Sequence, residues 1–151
     1  MRVTLGLRGD YAVRAMLALA SVEAEDRPMS VRWIAERMAI PVRFLPHVMT
    51  DLSRAGLVLG APGRRGGYRL GRPAERITLL EVVDAVEPEP ETPRCVLRGG
   101  PCRPDGRCAV HDVFADASAA MRAELSSRSL AAIAAGGGLT GAQAPLAAPR
   151  G

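Results

Sequence analysis

The sequence predicts a mainly α fold with a small β-wing, that is, a winged helix-turn-helix domain followed by a long C-terminal dimerisation helix. Three observations predict it. Apolar residues recur at helical spacing in the first half, two short strand-like runs flank a basic, glycine-rich turn, and a last segment carries an extended apolar stripe. With 151 residues, of which 48% are hydrophobic, the chain has the size and composition of one packed domain with a tail.

Three helices are predicted in the first third of the chain. Residues 11–21 place small and apolar side chains on one face, and Ser30 is a suitable N-cap for a second helix over 31–38. The third helix is predicted over 42–55, and Pro46 within it indicates either a later start or a distorted first turn. The inner stripe of this helix consists of Leu45, Val48, Met49 and Leu52.

A two-stranded hairpin is predicted to follow. Gly56 is well placed to end the third helix, and the runs 57–59 and 68–70 are strand-like. The segment between them, GAPGRRGG, predicts a turn. After the hairpin, Thr78 and Glu81 form a capping box that opens a fourth helix.

Charge and composition divide the chain into four parts. Residues 1–80 carry 13 arginines against seven acidic residues, whereas residues 81–91 carry five acidic residues and no arginine. Prolines at the end of this acidic segment mark a boundary. We therefore predict a winged helix-turn-helix domain over 1–90, a cysteine-rich loop over 91–108, a dimerisation helix over 109–135 and a disordered tail over 136–151.

The basic first half is predicted to bind DNA. In a winged helix-turn-helix, one helix braces a second, which presents its polar face to the major groove, while the wing reaches the backbone or the minor groove. The net charge of +4 is compatible with a polyanionic partner. An alternative interpretation is that these polar faces are only solvated, because helix pairs joined by a turn are common packing units. The predicted DNA-binding residues are Arg43, His47, Thr50, Arg54, Arg64, Arg65 and Gly67.

The cysteines form a candidate metal site. Cys95, Cys102 and Cys108 lie within 14 residues, and His111 follows the last of them by about one helical turn. Thiolates and imidazole are the usual ligands of zinc and of iron–sulfur clusters, and a loop with so few apolar residues needs such a centre to order it. The absence of aromatic residues between these ligands disfavours an RNA-binding zinc finger, but not a structural zinc site. Three metal-free thiols are the remaining alternative.

Together the two halves resemble the Rrf-two family of bacterial winged-helix transcriptional regulators, in particular its IscR-like and NsrR-like iron–sulfur regulators. The resemblance covers residues 1 to about 130. It rests on the segments MRVTLGLRGDYAVRAMLALA, LSRAGLV, GRRGGYRLGRP and ITLLEVVDAVE, followed by the three cysteines. The resemblance implies a homodimeric repressor or activator that binds a double-stranded DNA operator. It also implies an iron–sulfur cluster held by the three cysteines and one further residue.

The resemblance leaves two candidates for the fourth ligand. His111 matches the histidine of IscR-like regulators and is favoured, which indicates a 2Fe-2S cluster. Asp10 matches the N-terminal aspartate of NsrR-like regulators and would indicate a 4Fe-4S cluster, ligated across the dimer. Asp10 also has a plain interpretation as a helix-start residue. Pro46 stands where IscR-like regulators place an acidic residue that reads bases, so the operator sequence is expected to differ.

A last helix is predicted from about Cys108 to Ala135. One small domain cannot easily bury the apolar stripe of so long a helix, so two such helices are predicted to pack together in a homodimer. An alternative is that the stripe covers the core of its own subunit. The stripe consists of Val110, Phe114, Ala117, Met121 and Leu125.

The predicted function is therefore a transcriptional regulator whose operator affinity is switched by a cluster that senses nitric oxide, redox state or iron–sulfur status. The alternatives are a metal-free thiol sensor, a structural-zinc DNA-binding protein and an electron carrier, although a carrier does not need a basic winged half. No enzyme is expected, because the sequence lacks paired carboxylates and a nucleophile motif. No apolar run approaches the ~20 residues that span a bilayer, and the N-terminus lacks the features of a signal peptide, so a cytoplasmic location is expected.

Overall fold

The computed structural model describes residues 4–89, 94–97, 100–101 and 108–136. Apart from its first residue, the tail predicted over 136–151 lies outside this described part of the chain. Among the helices described, none combines the length and the hydrophobicity that crossing a bilayer requires.

Six α-helices and one two-stranded sheet make up the described residues. In chain order they are α1 (Leu7–Ala20), α2 (Val31–Met38), α3 (Leu45–Arg54), β1 (Val58–Ala61), β2 (Gly67–Leu70), α4 (Leu79–Val86), α5 (His111–Ser127) and α6 (Leu130–Ala135). Short 3-10 turns lie between them at Glu23–Glu25, Val42–Phe44 and Ala74–Arg76. The mainly α fold with a small β-wing and a C-terminal helix is thus confirmed.

Helix α1 forms the centre of the hydrophobic core. It contacts α2, α3, α4 and α6, so that four helices pack around one. Its inner face carries Ala12, Ala15 and Ala18, all fully buried. Because the distance between packed helices depends on the side chains at the contact, these small residues allow close packing on several sides.

The start of α1 is fixed by a residue distant in sequence. Glu87, at the end of α4, accepts hydrogen bonds from the backbone N–H groups of Gly6 at 3.3 Å and Gly9 at 2.9 Å. Such N–H groups at a helix start have no acceptor within the helix. The predicted start at Tyr11 is therefore wrong by four residues, because the acceptor that stabilises the first turn comes from another helix.

The helix-turn-helix differs from the prediction only at its second helix. Ser30 caps α2, whose bounds are those predicted, by accepting the Trp33 N–H at 3.1 Å. Helix α3 begins at Leu45, not at Val42, because the residues before it form a 3-10 turn. Pro46 then lies in the first turn of α3, where a missing N–H removes no helical hydrogen bond.

The wing is joined to the loop that precedes α2. Strands β1 and β2 pair antiparallel, with Ala61 opposite Gly67. On the other edge of β2, Met29 and Tyr68 exchange two backbone hydrogen bonds, each 2.8 Å long. These two hydrogen bonds connect the wing to the helix-turn-helix, so the position of the wing relative to α2 is fixed.

We expect Gly67→Ala to lower the free energy of unfolding by about 2 kcal/mol or more. Gly67 has a φ of +150°, and a Cβ there would lie 2.2 Å from the Met29 carbonyl oxygen. The backbone hydrogen bonds between Met29 and Tyr68 would therefore have to break or lengthen. Gly60→Ala is the matched control, because its Cβ would make only an ordinary van der Waals contact with the Tyr68 ring, at 3.4 Å. Urea unfolding measures both variants, and equal stability would contradict this role of Gly67.

The capping box predicted for α4 is confirmed. The Glu81 carboxylate accepts the Thr78 N–H at 2.8 Å, and the Thr78 hydroxyl accepts the Glu81 N–H at 3.3 Å. Arg72, just after the wing, donates to the same carboxylate at 2.6 Å. Glu81 therefore connects the base of the wing to the start of α4.

Stability is expected to fall as the pH drops through the pKa of Glu81. Burial raises this pKa, but the hydrogen bonds from Thr78 and Arg72 outweigh burial and hold it below the ordinary value of 4.5. The contribution is therefore complete above about pH 4.5 and is lost as the folded carboxylate protonates at lower pH. Melting temperatures of the wild type and Glu81→Gln should converge between about pH 6 and about pH 3. A difference that stayed constant with pH would contradict this assignment.

The last predicted helix is in fact two helices. The single helix predicted over 108–135 is wrong because Arg128 adopts an extended conformation, with φ −104° and ψ 113°. Ser129 then caps α6 by accepting the Ala132 N–H at 3.2 Å. A serine at this position favours a new helix start over continuation of the old one.

Helix α6 packs back onto the winged-helix core. Leu130 is fully buried, and its N–H donates to the Ile77 carbonyl oxygen at 2.8 Å. The Leu79 N–H donates in turn to the Arg128 carbonyl oxygen at 2.9 Å. The C-terminal end of α5 is therefore fixed to the start of α4, while its N-terminal end lies at the cysteine loop.

Candidate DNA-binding surface and cluster loop

Helix α3 is amphipathic in the way the sequence predicts. The four residues of the inner stripe are buried, and the predicted DNA-binding residues His47, Thr50 and Arg54 are exposed on the outer side. The Thr50 hydroxyl donates to the Pro46 carbonyl oxygen at 2.8 Å, which leaves its oxygen able to accept a further hydrogen bond. The outer side can therefore offer an imidazole, a hydroxyl and a guanidinium to a groove.

Arg43 is held by aromatic side chains just before α3. Its guanidinium lies 4.8 Å from the centroid of the Phe44 ring, and that ring lies 5.8 Å from the Tyr11 ring of α1. Stacking on an aromatic face orients a guanidinium without using its hydrogen-bond donors. Arg43 is exposed and keeps those donors for a phosphate or a base edge.

The wing presents two arginines at its tip. Arg64 and Arg65 are both exposed in the turn between β1 and β2. Gly67 is half-buried at the start of β2, next to the turn, and the Met29 carbonyl oxygen leaves no space there for a side chain. A direct contact between Gly67 and DNA remains a prediction.

The sequence did not reveal a contact between two charged residues, one on α1 and one on α3. Arg8, in the first turn of α1, donates a hydrogen bond to the carboxylate of Asp51 on α3. The Arg54 guanidinium lies 3.8 Å from the other oxygen of the same carboxylate. The only signal in the sequence was an arginine near the N-terminus, which does not reveal a contact between residues 43 positions apart.

The predicted cluster ligands that the structure describes line one cleft. Cys95, Cys108 and His111 border a cleft of about 500 Å³, together with Phe114 and Arg122 of α5. The two thiols are half-buried. The His111 N–H donates to the Cys108 carbonyl oxygen at 2.9 Å, which places the imidazole one turn after the last cysteine. Cys102 lies outside the described residues.

The described side chains alone do not form a closed metal site. Within residues 4–89, 94–97, 100–101 and 108–136, no three His, Cys, Asp or Glu side chains lie close enough together to hold a metal ion. The donor set of the cleft, two thiols and an imidazole, nevertheless has the chemistry that an iron–sulfur cluster or zinc requires. The third thiol would have to come from Cys102.

Asp10 lies apart from this cleft within its own chain. Its carboxylate accepts a hydrogen bond from Arg14 Nε at 3.0 Å, and Arg14 is itself buried and donates to the Met38 carbonyl oxygen. Asp10 is thus a first-turn residue of α1, as its plain interpretation predicts. Ligation by Asp10 across a dimer is not tested by these contacts and stays a prediction.

Arg122 connects the cleft to the winged-helix core. It lines the cleft and donates two hydrogen bonds to the Asp84 carboxylate of α4, at 3.1 and 2.8 Å. Its guanidinium also lies 3.1 Å from Glu89. The hydrogen bond to Asp84 raises the pKa of Arg122 above its ordinary value.

Helix α5 presents apolar side chains to solvent in the single chain. Phe114 is 38% exposed and Met121 is 40% exposed, and both belong to the predicted apolar stripe. Val110 and Leu125 of the same stripe are half-buried, and Ala117 is exposed. The described part of the subunit therefore covers this stripe only in part.

Comparison with known proteins identifies the family. A family described as "Rrf2: Iron-dependent Transcriptional regulator" matches residues 5–136. IscR of Xenorhabdus nematophila, an HTH-type transcriptional regulator, is 37% identical over 130 residues, which cover 86% of this chain and 77% of that protein. IscR of Escherichia coli O1:K1 is 36% identical over 118 residues, covering 78% and 70% of the two chains.

Solved structures support the same assignment. CymR, the global cysteine regulator of B. subtilis, superposes with a TM-score of 0.74 at 26% identity, over 89% of this chain and 98% of CymR. IscR of T. potens superposes with a TM-score of 0.70 at 26% identity, over 86% and 85% of the two chains. The described chain therefore belongs to the Rrf2 family and is an IscR-like transcriptional regulator that binds DNA.

Proposed function

We propose that this regulator changes its operator affinity according to whether Cys95, Cys102, Cys108 and His111 hold an iron–sulfur cluster. One observation carries the proposal: two of these cysteines and the histidine line a single cleft whose wall includes Arg122, a residue bound to the winged-helix core. A structural change at the ligands can therefore reach the DNA-binding domain through the contact between Arg122 and Asp84. The signal is nitric oxide, redox state or iron–sulfur supply.

The chemistry of the cleft suits an anionic centre. Three thiolates and an imidazole would hold the cluster, and the guanidinium groups of Arg94 and Arg122, which line the same cleft, favour negative charge there. His111 as the fourth ligand favours a 2Fe-2S cluster, and Asp10 in its place would favour a 4Fe-4S cluster. When bound, the cluster supplies a redox-active centre that oxidants and nitric oxide attack.

The residues of this chain carry the change to the DNA-binding surface. Cys108 and His111 lie at the N-terminal end of α5, so ligation restrains that end relative to Cys95. Arg122 and Asp84 join the middle of α5 to α4, and α6 fixes the other end of α5 to the core. A shift of a few kcal/mol between two settings of α5 is enough to change the occupancy of an operator.

A homodimer completes the proposed regulator. The exposed apolar stripe of α5 is covered when two copies pack these helices against each other. Two recognition helices and two wings then contact a roughly palindromic operator, with half-sites about one helical turn apart. The placement of the start of α5 would set the distance between the two DNA-binding heads. In a reducing cytoplasm the ligand thiols stay available for the cluster.

Spectroscopy of anaerobically purified protein tests the cluster. We expect visible absorption, with iron and acid-labile sulfide present in similar amounts. The Cys102→Ala variant should lack both. Colourless protein that contains stoichiometric zinc would contradict the cluster and would support a structural-zinc DNA-binding protein.

A metal-free thiol sensor is the second candidate. The structural likeness to CymR, a global cysteine regulator, favours it, as does the presence of two half-buried thiols in one cleft. In that case, peroxide should form a disulfide between two of the three cysteines and change DNA affinity in protein that contains no metal. Mass spectrometry of peptides from the treated protein detects that bond.

A further inference from the structure

Arg8 lies on the flank of the recognition helix, although it belongs to α1. Its side chain is 58% exposed and reaches the Asp51 carboxylate, which is four residues after His47 and one after Thr50 on α3. One turn further along α1, Tyr11 contacts Phe44, which is directly before α3. The first turns of α1 are thus placed along the surface that carries the predicted DNA-binding residues.

Asp51 holds two guanidinium groups at this surface. Its side chain is 20% exposed, and its two oxygens face Arg8 on one side and Arg54, which is 78% exposed, on the other. An ion pair this exposed contributes little to folding stability, because water and salt screen it. The arrangement therefore places positive charge at a defined position more than it stabilises the fold.

At the start of α1, a side chain and not the backbone is available to bind phosphate. A helix N-terminus commonly binds phosphate through its backbone N–H groups. Here, the Gly6 and Gly9 N–H groups are bound to Glu87. The group that the first turn offers to DNA is consequently the Arg8 guanidinium, with donors beyond the one used by Asp51.

We propose that Arg8 is a DNA-backbone-binding residue, and that Asp51 is a positioning residue that fixes the Arg8 and Arg54 guanidiniums beside the major groove. The proposal rests on the use of α3 as the recognition helix. It adds a contact from α1 to those predicted for α3 and for the wing. Phosphate contacts of this kind fix the register of a protein on its site without reading bases.

Salt dependence distinguishes this role from a structural one. The probes are a mixed-sequence 30-base-pair duplex and a duplex selected from a random pool by the wild-type protein. In log–log plots of affinity against salt, Arg8→Ala should reduce the slope by about 0.9 per subunit and weaken binding by about tenfold. Arg8→Lys should keep the slope, because the charge remains. Arg128→Ala is the matched control, since Arg128 is 62% exposed and ion-paired with Glu124 at the end of α5.

Asp51→Asn tests the positioning. This variant keeps Arg8, so the salt dependence of its DNA affinity should not fall. In the Asp51→Asn background, however, Arg8→Ala should weaken DNA binding by less than about threefold and not by about tenfold. An unchanged effect would overturn the role of Asp51. A slope for Arg8→Ala equal to that of Arg128→Ala would overturn the phosphate contact, even if both variants lowered the melting temperature. Failure of the wild type to bind either duplex would instead contradict DNA binding by this surface as a whole.

Discussion

Cys108→Ala is expected to remove the iron and sulfide of the purified protein and to abolish the difference in operator affinity between its loaded and empty forms. Cys108 lines the cleft with Cys95 and lies three residues before the start of α5, so its loss removes the proposed thiolate ligand that is closest to that helix in sequence. Losing one of the three thiolates removes a direct ligand of the cluster, whereas a substitution outside the ligands only changes their surroundings. The effect on the switch is therefore complete and not graded.

Ser118→Ala is the matched control for the cysteine variant. Ser118 lines the same cleft and has no thiol or imidazole, so this variant should keep its colour and its switch. Circular dichroism should show both variants folded, because neither residue belongs to the buried core. A Cys108→Ala protein that still responded to cluster loss would contradict the assignment of this ligand. His111→Ala and Asp10→Ala, compared by the same spectra, decide which residue is the fourth ligand.

Met121→Glu is expected to convert the proposed dimer to a monomer and to weaken operator binding by about a hundredfold or more. A glutamate in the middle of the α5 stripe would be buried without a partner when two helices pack, and such a charge is strongly destabilising. A monomer contacts one half-site and loses the gain in affinity that comes from two linked heads. Light scattering measures the oligomeric state, and fluorescence anisotropy with labelled duplex measures affinity.

Ala123→Glu is the control for the dimer interface. Ala123 is exposed and lies two residues from Met121, which puts it on a different face of α5. This variant should remain dimeric and should bind DNA like the wild type. A monomeric wild type, or a Met121→Glu protein that stayed dimeric with full affinity, would contradict the proposed interface.

Local interactions made much of the fold predictable. The cap at Ser30, the capping box at Thr78 and the buried stripe of α3 all depend on successive residues no more than four positions apart, so their spacing in the sequence is sufficient. The start of α1 and the bridge between the wing and Met29 depend on partners far away in the chain. No local pattern records such partners, and the predictions were incomplete at those places.

The proximity of the candidate ligands was predictable from the sequence, but their connections to the rest of the fold were not. The residue types and spacing of Cys95, Cys108 and His111 were enough to suggest shared ligands, and the structure places all three on one cleft. The pair Arg122 and Asp84, which joins that cleft to α4, spans 38 positions and uses residues that look like ordinary surface charges. The break at Arg128 was missed although the polar residues 126–129 interrupt the apolar pattern there and Ser129 is a suitable N-cap.

The most direct test is the affinity of cluster-loaded and cluster-free protein for the same selected duplex, measured anaerobically by fluorescence anisotropy over a range of salt concentrations. The proposed switch requires the two forms to differ by about tenfold or more at a given salt concentration, with the difference lost in Cys108→Ala. Equal affinity of the loaded and empty wild-type forms at every salt concentration would contradict it.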